Sequence, residues 1–341
     1  MNPSVAEAER LLAKITREDT DRAIGLLSET IVANADDVAA HVALSRAYAL
    51  RAHQLGQGRR WLTEAAREAE HAIDLDANYA PGQRALSVVC SHRGWLRRDL
   101  AIQRALLRSA PDDADVLRAL GWLLWFSGEA AEAIAVLKRA IALAPDAMWS
   151  HFYLGNAFLR AGQADHALAA YQDATRLRPD LSSPRAGVGW ARIALGEEGR
   201  ARDDLPHFAT MPVDEDRIHV KIADLALYLG DVDLARVHAE EAARVGPESR
   251  YRPRGACATT ILARLLLATD RSRAMRLLDT SEGLDRARLD EGDEGYEPRY
   301  DLAAVQAIRG DAAGRDRWLA EARTTGWGFD TIARRDPLLA N

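Results

Sequence analysis

Few residues in this chain have the type and spacing to do chemistry. Gly56-Gln-Gly58 is a G-x-G step inside the run from Gln54 to Arg60. A phosphate-cradling loop of that kind needs a strand before it, and none precedes this one, so it reads as loop flexibility. Cys90 and Cys257 lie far apart, with no C-x-x-C step and no Cys/His cluster. That pattern leaves neither a disulfide framework nor a zinc site. The nine histidines are scattered. Asp290-Glu-Gly-Asp-Glu-Gly295 gathers carboxylates without the alternating ligand spacing of a calcium loop, and it reads as a solvated acidic loop spanning about residues 288–297. H-E-x-x-H, G-x-S-x-G and G-x-x-x-x-G-K are all absent. The expectation is a chain that is not an enzyme, with no cofactor, no metal and no catalytic residues.

Composition bounds the rest. The chain has 341 residues, 48% apolar and 28% charged, with 6% aromatic and a net charge of −6. That length suits two or three ordinary domains or one elongated array, and the apolar share excludes wholesale disorder. Heavy use of Ala, Leu and Arg favours helix. Of the 45 basic residues only Lys14, Lys138 and Lys221 are lysine, a skew that suits a bacterial, GC-rich genome. The first nineteen residues lack a signal peptide's basic start and apolar run. No apolar stretch is long enough to span a bilayer, so no membrane association and a cytoplasmic location are expected. The mild acidity argues against nucleic acid as a partner.

The strongest pattern is a repeat. Gly94, Gly128, Gly162, Gly196 and Gly230 fall 34 residues apart. Pro111, Pro145, Pro179 and Pro247 keep a second such grid, with Val213 in its missed slot. Small residues keep a third, Ser87, Gly121, Gly155, Gly189 and Ala223, each after an aliphatic residue. Asp99, Ala133, Ala167, Ala201 and Ala235 form a fourth, and Leu106, Ala140, Ala174, Phe208 and Ala242 a fifth. Within Met148–Leu181, residues 149–161 and 165–177 are apolar at helical spacing. Gly162 can take the left-handed conformation that ends the first helix, and Pro179 stops the second. Gly155 and Ala167 let the two helices approach closely, and Tyr171 fills the larger space beside them. One such hairpin cannot bury its apolar faces alone, so neighbours must stack.

These residues resemble the tetratricopeptide repeat family, carried in the unit from Met148 by Leu154, Gly155, Phe158, Ala167, Tyr171, Ala174 and Pro179. The resemblance implies an all-α, right-handed α-solenoid (a superhelix) of stacked helix hairpins, with about eighteen helices. Extending the register gives a single solenoid, 1–341. Its units are 4–37, 38–79, 80–113, 114–147, 148–181, 182–215 and 216–249, then a degenerate 250–295 and 296–329, with 330–341 as a C-terminal cap over the last hairpin. Departures mark special places. Unit 38–79 carries an inter-helix insertion within 51–60. Asp99 stands where Ala is expected, so its packing must adjust. Pro206 falls inside a second helix. Unit 250–295 offers a first helix over 257–268 and only a short second one over 272–278.

In this family the inward side chains occupy the second, fifth, ninth and twelfth positions of each unit. Here those slots hold Arg84 and Val88, then Arg118, Trp122 and Trp125 with Phe126 adjacent. Trp149, Phe152 and Asn156 follow, then Trp190, and then Val220, Asp224 and Leu227. Four of the eight Trp residues thus fall on inward slots of three consecutive units. Left exposed, they would form a larger apolar patch than a monomer usually shows, the mark of a binding site. The competing reading has them packed on one another or on an adjacent helix. Arg84, Arg118 and Asn156 supply polar anchors. The Lys–Asn pairing of carboxylate-clamp relatives is missing, as is the inner Asn ladder of protein-glycosylating relatives. Arg59, Arg60, Arg93, Arg97 and Arg98 form a secondary basic edge, and the acidic loop lies far along the chain. Opposite charges so placed would steer an acidic partner or favour weak head-to-tail homo-oligomers.

The resulting expectation is a scaffold or adaptor that binds a protein or peptide segment in an aromatic-rich concave groove. The alternatives are a regulatory sensor of a small molecule or short peptide, and an accessory subunit of a bacterial enzyme or biosynthetic complex.

Overall fold

The structure, a computed structural model, describes residues 2–14, 16–53, 59–211, 218–251, 253–333 and 335–340. Gly56 and Gly58 lie outside the described residues, with most of the expected insertion. The chain divides into two compact units, residues 1–111 and 112–341.

Unit 1 holds α1 (Pro3–Leu12), α2 (Arg17–Ala33), α3 (Val38–His53), α4 (Arg60–Leu75), α5 (Ala80–Arg93) and α6 (Leu96–Ser109). Unit 2 opens with α7 (Ala114–Phe126), α8 (Ala130–Leu143), α9 (Met148–Arg160), α10 (Ala164–Leu177), α11 (Ser182–Ala194), α12 (Glu198–Ala209), α13 (Ile218–Leu229) and α14 (Val232–Val245). It continues with α15 (Ala258–Leu266), α16 (Arg271–Asp290), α17 (Glu297–Arg309), α18 (Ala312–Thr324) and a single turn, α19 (Asp330–Ala333). Consecutive helices pair as hairpins, and each hairpin packs on the next within its unit. Among the described residues there is no strand, only an isolated bridge between Arg250 and Cys257. No described helix is long and apolar enough to cross a membrane.

The repeated residue types explain the hairpins. Gly94, Gly128, Gly162, Gly196 and Gly230 all have positive φ, from 72° to 99°. Each closes the first helix of its hairpin in a conformation that L side chains disfavour. Between the helices the small residues permit close approach. A Cβ on Gly155 would stand 2.6 Å from the Tyr171 ring, and one on Gly187 2.5 Å from it. Tyr171 is thus clamped between a glycine of its own hairpin and one of the next. Gly121 makes the same room for Leu137.

In four units the fourth slot also has a role. His41 and His151 each turn Nε2 to the carbonyl six residues earlier, at 2.9 Å from Ala35 and 2.8 Å from Pro145. Gln83 donates likewise to Ala77 (2.7 Å) and Arg185 to Pro179 (3.2 Å). A donor in this slot ties the turn that enters the hairpin to its first helix.

Where Asp99 replaces Ala, hydroxyls replace methyl packing. Its carboxylate is buried and accepts from Ser87 Oγ and Ser91 Oγ, both at 2.5 Å. Gln103 in turn donates to Ser87 Oγ at 2.7 Å. Burial pushes the Asp99 carboxyl up to about 6, despite those hydrogen bonds.

Two expectations are corrected near the end of unit 2. The second helix of the degenerate hairpin is long, α16, because Asp270 caps its start (Arg273 N to Oδ1, 2.9 Å) and its buried stripe of Ala274, Leu278, Ser281 and Asp285 continues to Asp290. Residues 326–333 and 335–340 do not cap the last hairpin alone. They turn back along unit 2, as described next.

Candidate functional site

In unit 2 the first helices pack on one another in sequence: α7 on α9, α9 on α11, α11 on α13, α13 on α15 and α15 on α17. That tighter layer is the inner face, and the inward-slot residues of α7, α9, α11 and α13 belong to it.

The aromatic row is mostly covered. Trp125 and Trp190 are each 1% exposed, and Phe126, Phe152 and Asn156 are also buried. Trp122 is half-buried, stacked on Phe126 at 5.4 Å. Trp149, at 36% exposed, is the open member, edge-on to Phe152 at 5.7 Å and stacked near Tyr153. Arg118 is half-buried beside Asp115 (3.0 Å). Asn156 does not face solvent as an anchor, because its Oδ1 accepts from the Tyr171 hydroxyl at 2.7 Å. Arg84 and Val88 stand exposed on α5, in the other unit. In place of an open aromatic groove, Arg118, Trp122 and Trp149 remain accessible and Trp125, Phe126, Asn156 and Trp190 are buried.

Residues 326–333 and 335–340 and the loops before α15 and α17 pack against parts of this layer. Gly326, at φ +116°, lies against the Phe126 carbonyl, where a Cβ would meet it at 2.7 Å. The Phe126 ring packs on Tyr296 at 4.8 Å, and a Cβ on Gly295 would stand 3.0 Å from it. Trp327 stacks on Tyr300 at 5.4 Å. Gly328 and Phe329 lie beside Arg160, whose guanidinium is 6.0 Å from the Phe329 ring and 5.6 Å from that of Tyr296. The Tyr228 hydroxyl donates to the Ile332 carbonyl at 3.2 Å. Arg335 pairs with Glu198 at 2.6 Å. Arg264 Nε donates to the Pro337 carbonyl at 2.9 Å.

At the centre of this contact sits Arg254, fully buried, with its guanidinium 4.4 Å from the Trp190 ring. It donates to both carboxylate oxygens of Asp224 at 3.3 Å and to Asp336 Oδ1 at 3.1 Å. Asp336 also accepts from the Tyr300 hydroxyl and from Leu338 N (3.0 Å). Burial pushes the Asp224 carboxyl up to about 6, with Asp336 adding to the shift against the pull of Arg254. Burial opposes the charge on Arg254 too, but Asp224 and Asp336 outweigh it and hold its pKa above the usual value.

Polar burial continues beneath. Asp301 accepts from Cys257 N and Sγ (both 3.0 Å), Thr260 Oγ1 (3.0 Å) and Ser281 Oγ (2.8 Å). Arg250 pairs with Asp285 at 2.7 Å. The Cys257 thiol, pushed up to about 12 by burial and by Asp301, is not a nucleophile there. The acidic loop is corrected: Asp293 and Glu297 are buried and pair with Arg288 at 2.7 and 2.9 Å. Asp290, Glu291 and Gly292 face solvent. Among the described residues no three His, Cys, Asp or Glu side chains gather as metal ligands.

The basic edge of unit 1 is also narrower than expected. Arg93 is buried, hydrogen-bonded to Thr63, with its guanidinium 5.4 Å from the Trp95 ring. Arg59 is half-buried and donates to the His92 carbonyl at 3.2 Å. Arg60, Arg97 and Arg98 remain exposed, with Glu70 2.6 Å from Arg98.

Residue types and spacing picked out Asp224 and Trp190 as inward but missed Arg254, Tyr300 and Asp336. The available signal was Trp327-Gly-Phe329 followed by Asp336-Pro337, an aromatic and acidic run outside the repeat grid.

A family model described as tetratricopeptide repeat matches residues 99–147 and 118–182. No curated protein matches the chain. The human IFIT1 dimer with PPP-AAAA is 13% identical with a TM-score of 0.55, over 95% of this chain and 73% of that one. A tetratricopeptide repeat protein from Parabacteroides merdae ATCC 43184 is 14% identical with a TM-score of 0.57, over 71% of this chain and 93% of that one. At these identities the likeness is one of fold.

Proposed function

The chain is a tetratricopeptide-repeat protein, and from that premise we propose that it is a non-catalytic scaffold that binds a protein or peptide segment along the inner face of unit 2. One observation supports this reading above the rest: that face already holds a peptide segment, residues 326–340, through rings, backbone carbonyls and a carboxylate. What α7, α9, α11 and α13 do for their own chain is what a scaffold does for a partner. Fold alone does not carry function, so the weight rests on this face.

The accessible residues supply the entry point. Trp149 and Trp122 offer apolar surface, and Arg118, one turn before Trp122 on α7, offers a cation. Burial of two such rings in an interface is the usual source of a strong local contribution.

A displayed peptide library selected against the purified chain tests this reading. Binders are expected, and the pair Trp122→Ala with Trp149→Ala should weaken them about ten-fold or more while leaving the melting temperature nearly unchanged. A library that yields no binder, or binders indifferent to every inner-face substitution, would remove the reading.

A further inference from the structure

Arg250, Arg254 and Arg288 are drawn into unit 2 by carboxylates: Asp285 for the first, Asp224 and Asp336 for the second, Asp293 and Glu297 for the third. Arg299 donates to the carbonyls of Asp293 (3.0 Å) and Gly295 (2.6 Å). Arg160, the last residue of α9, differs. Its Nη1 is buried without a hydrogen-bond acceptor, and among the described residues no carboxylate pairs with the guanidinium. Two rings face it, Tyr296 at 5.6 Å and Phe329 at 6.0 Å, near the outer limit for a cation over a ring. A ring face attracts the charge without supplying an oxygen. Burial pushes the Arg160 guanidinium below its usual pKa, and Tyr296 opposes that shift. A cation drawn inward without its counter-charge is unfavourable.

The space beside its Nε and Nη2 is walled by glycine. A Cβ on Gly328 would stand 3.5 Å from Nε and 3.6 Å from Nη2, and one on Gly128 would stand 3.6 Å from Nη2. Gly128 and Gly326 need their glycine for positive φ, but Gly328 does not. Its missing side chain leaves the arginine's fork uncovered. The Gly328 amide borders the same spot and donates to no backbone carbonyl among the described residues. Gly128 is exposed and Arg160 and Gly328 are half-buried, so the spot opens to solvent.

We propose that Arg160, with Gly128 and Gly328, forms a binding site for an oxyanion, a phosphate or a carboxylate carried by a ligand of this protein. Nε and Nη2 are the guanidinium edge that takes two oxygens of such a group at once. A phosphate has a third oxygen for the Gly328 amide, so it binds more tightly than a carboxylate. The rings of Tyr296 and Phe329 limit access of water and strengthen the pairing. The site lies at the other end of α9 from Trp149 and does not depend on the scaffold reading.

The probes are inorganic phosphate and acetate, each titrated at constant ionic strength into the full chain labelled with nitrogen-15. The Nε–H resonance of Arg160, identified by its loss in Arg160→Met, should shift and saturate with phosphate at about 1–10 mM, and acetate should need about ten-fold more. Equal responses to the two would assign the site to a carboxylate-bearing ligand instead. Arg160→Met should melt no lower than the unaltered chain, because it removes an unpaired cation and breaks no pair. Gly328→Ala keeps the arginine and fills the space beside its fork, and it should weaken phosphate about five-fold or more. Arg160→Lys keeps the charge and loses the fork, and it should weaken phosphate about ten-fold. An Arg160 resonance that ignores both anions up to about 100 mM would overturn the proposal. So would phosphate binding that is unchanged in Gly328→Ala and Arg160→Lys.

Discussion

The hairpins from α7 to α12 and the stretch from Gly246 to Asp301 are held together by different means. In the hairpins, Ala133, Ala167 and Ala201 are fully buried, and Tyr171 is pinned between two glycines. Shape does the work, and almost every contact is apolar. In the later stretch the repeat lapses, and the interior holds Arg250, Arg254, Asp285, Asp293, Glu297 and Asp301. Directional pairs replace shape there. The difference shows how a repeat array can tolerate a degenerate unit: where the side chains no longer fit as spheres in gaps, they must be matched donor to acceptor. Such matching is brittle, because removing one partner strands the other.

The largest test breaks the ionic stretch. Arg254→Met leaves Asp224 and Asp336 buried without their cation and should destabilise unit 2 by about 3–5 kcal/mol, read from urea unfolding. Combining it with Asp224→Leu and Asp336→Leu should recover most of that loss, since a well-packed apolar replacement is often neutral. A triple variant as unstable as the single one would mean that the site is sensitive to shape after all.

Two carboxylates sharpen the contrast. Asp99 and Asp224 are both pushed up to about 6, the first among hydroxyls and the second beside a guanidinium. A folded-state pKa above the unfolded one means that the native state binds the proton more tightly, so each group's contribution falls as pH rises from about 4 to 6 and is level beyond. Asp99→Asn should therefore stabilise the chain by up to about 3 kcal/mol at pH 8 and hardly at all at pH 3.5. Asp224→Asn should act in the same direction, because the raised pKa of Asp224 already includes the pull of Arg254, and Arg254 keeps Asp336 as its counter-charge. Melting curves at the two pH values check both variants. A destabilised Asp224→Asn at pH 8 would mean that Arg254 needs both carboxylates ionised.

Gly155→Leu addresses the apolar hairpins. A Cβ there already stands 2.6 Å from Tyr171, so overpacking should lower stability by about 1–3 kcal/mol. Tyr171→Ala on the same background should relieve part of the strain, and a double-mutant cycle would show the coupling. The smallest effect is expected on the surface. Arg98→Ala, which breaks an exposed pair with Glu70, should change stability by less than about 0.5 kcal/mol.

The hairpins were legible because their determinants are local. Gly162 ends a helix by its own backbone, and Gly155 admits Tyr171 from sixteen residues away. The inward slots were legible for the same reason: register alone sets which way Trp190 points. Its burial was not legible. That depends on Arg254, whose guanidinium lies over the ring and is brought back from far along the chain by turns that no periodicity marks. The acidic run at Asp290–Gly295 misled in a related way, because local composition cannot show that Arg288 folds over Asp293 and Glu297.

The contact of Gly326 with Phe126 has a consequence for the order of folding. A stack of hairpins can form from neighbour to neighbour, each step closing a short loop. Closing segment 326–340 onto α7 instead joins positions separated by almost all of unit 2. It is also made by the ribosome after every hairpin it touches. For the interval before it docks, a nascent chain presents Tyr228, Arg254 and Tyr300 to whatever else is present, and that brief window is when this molecule is most open to company.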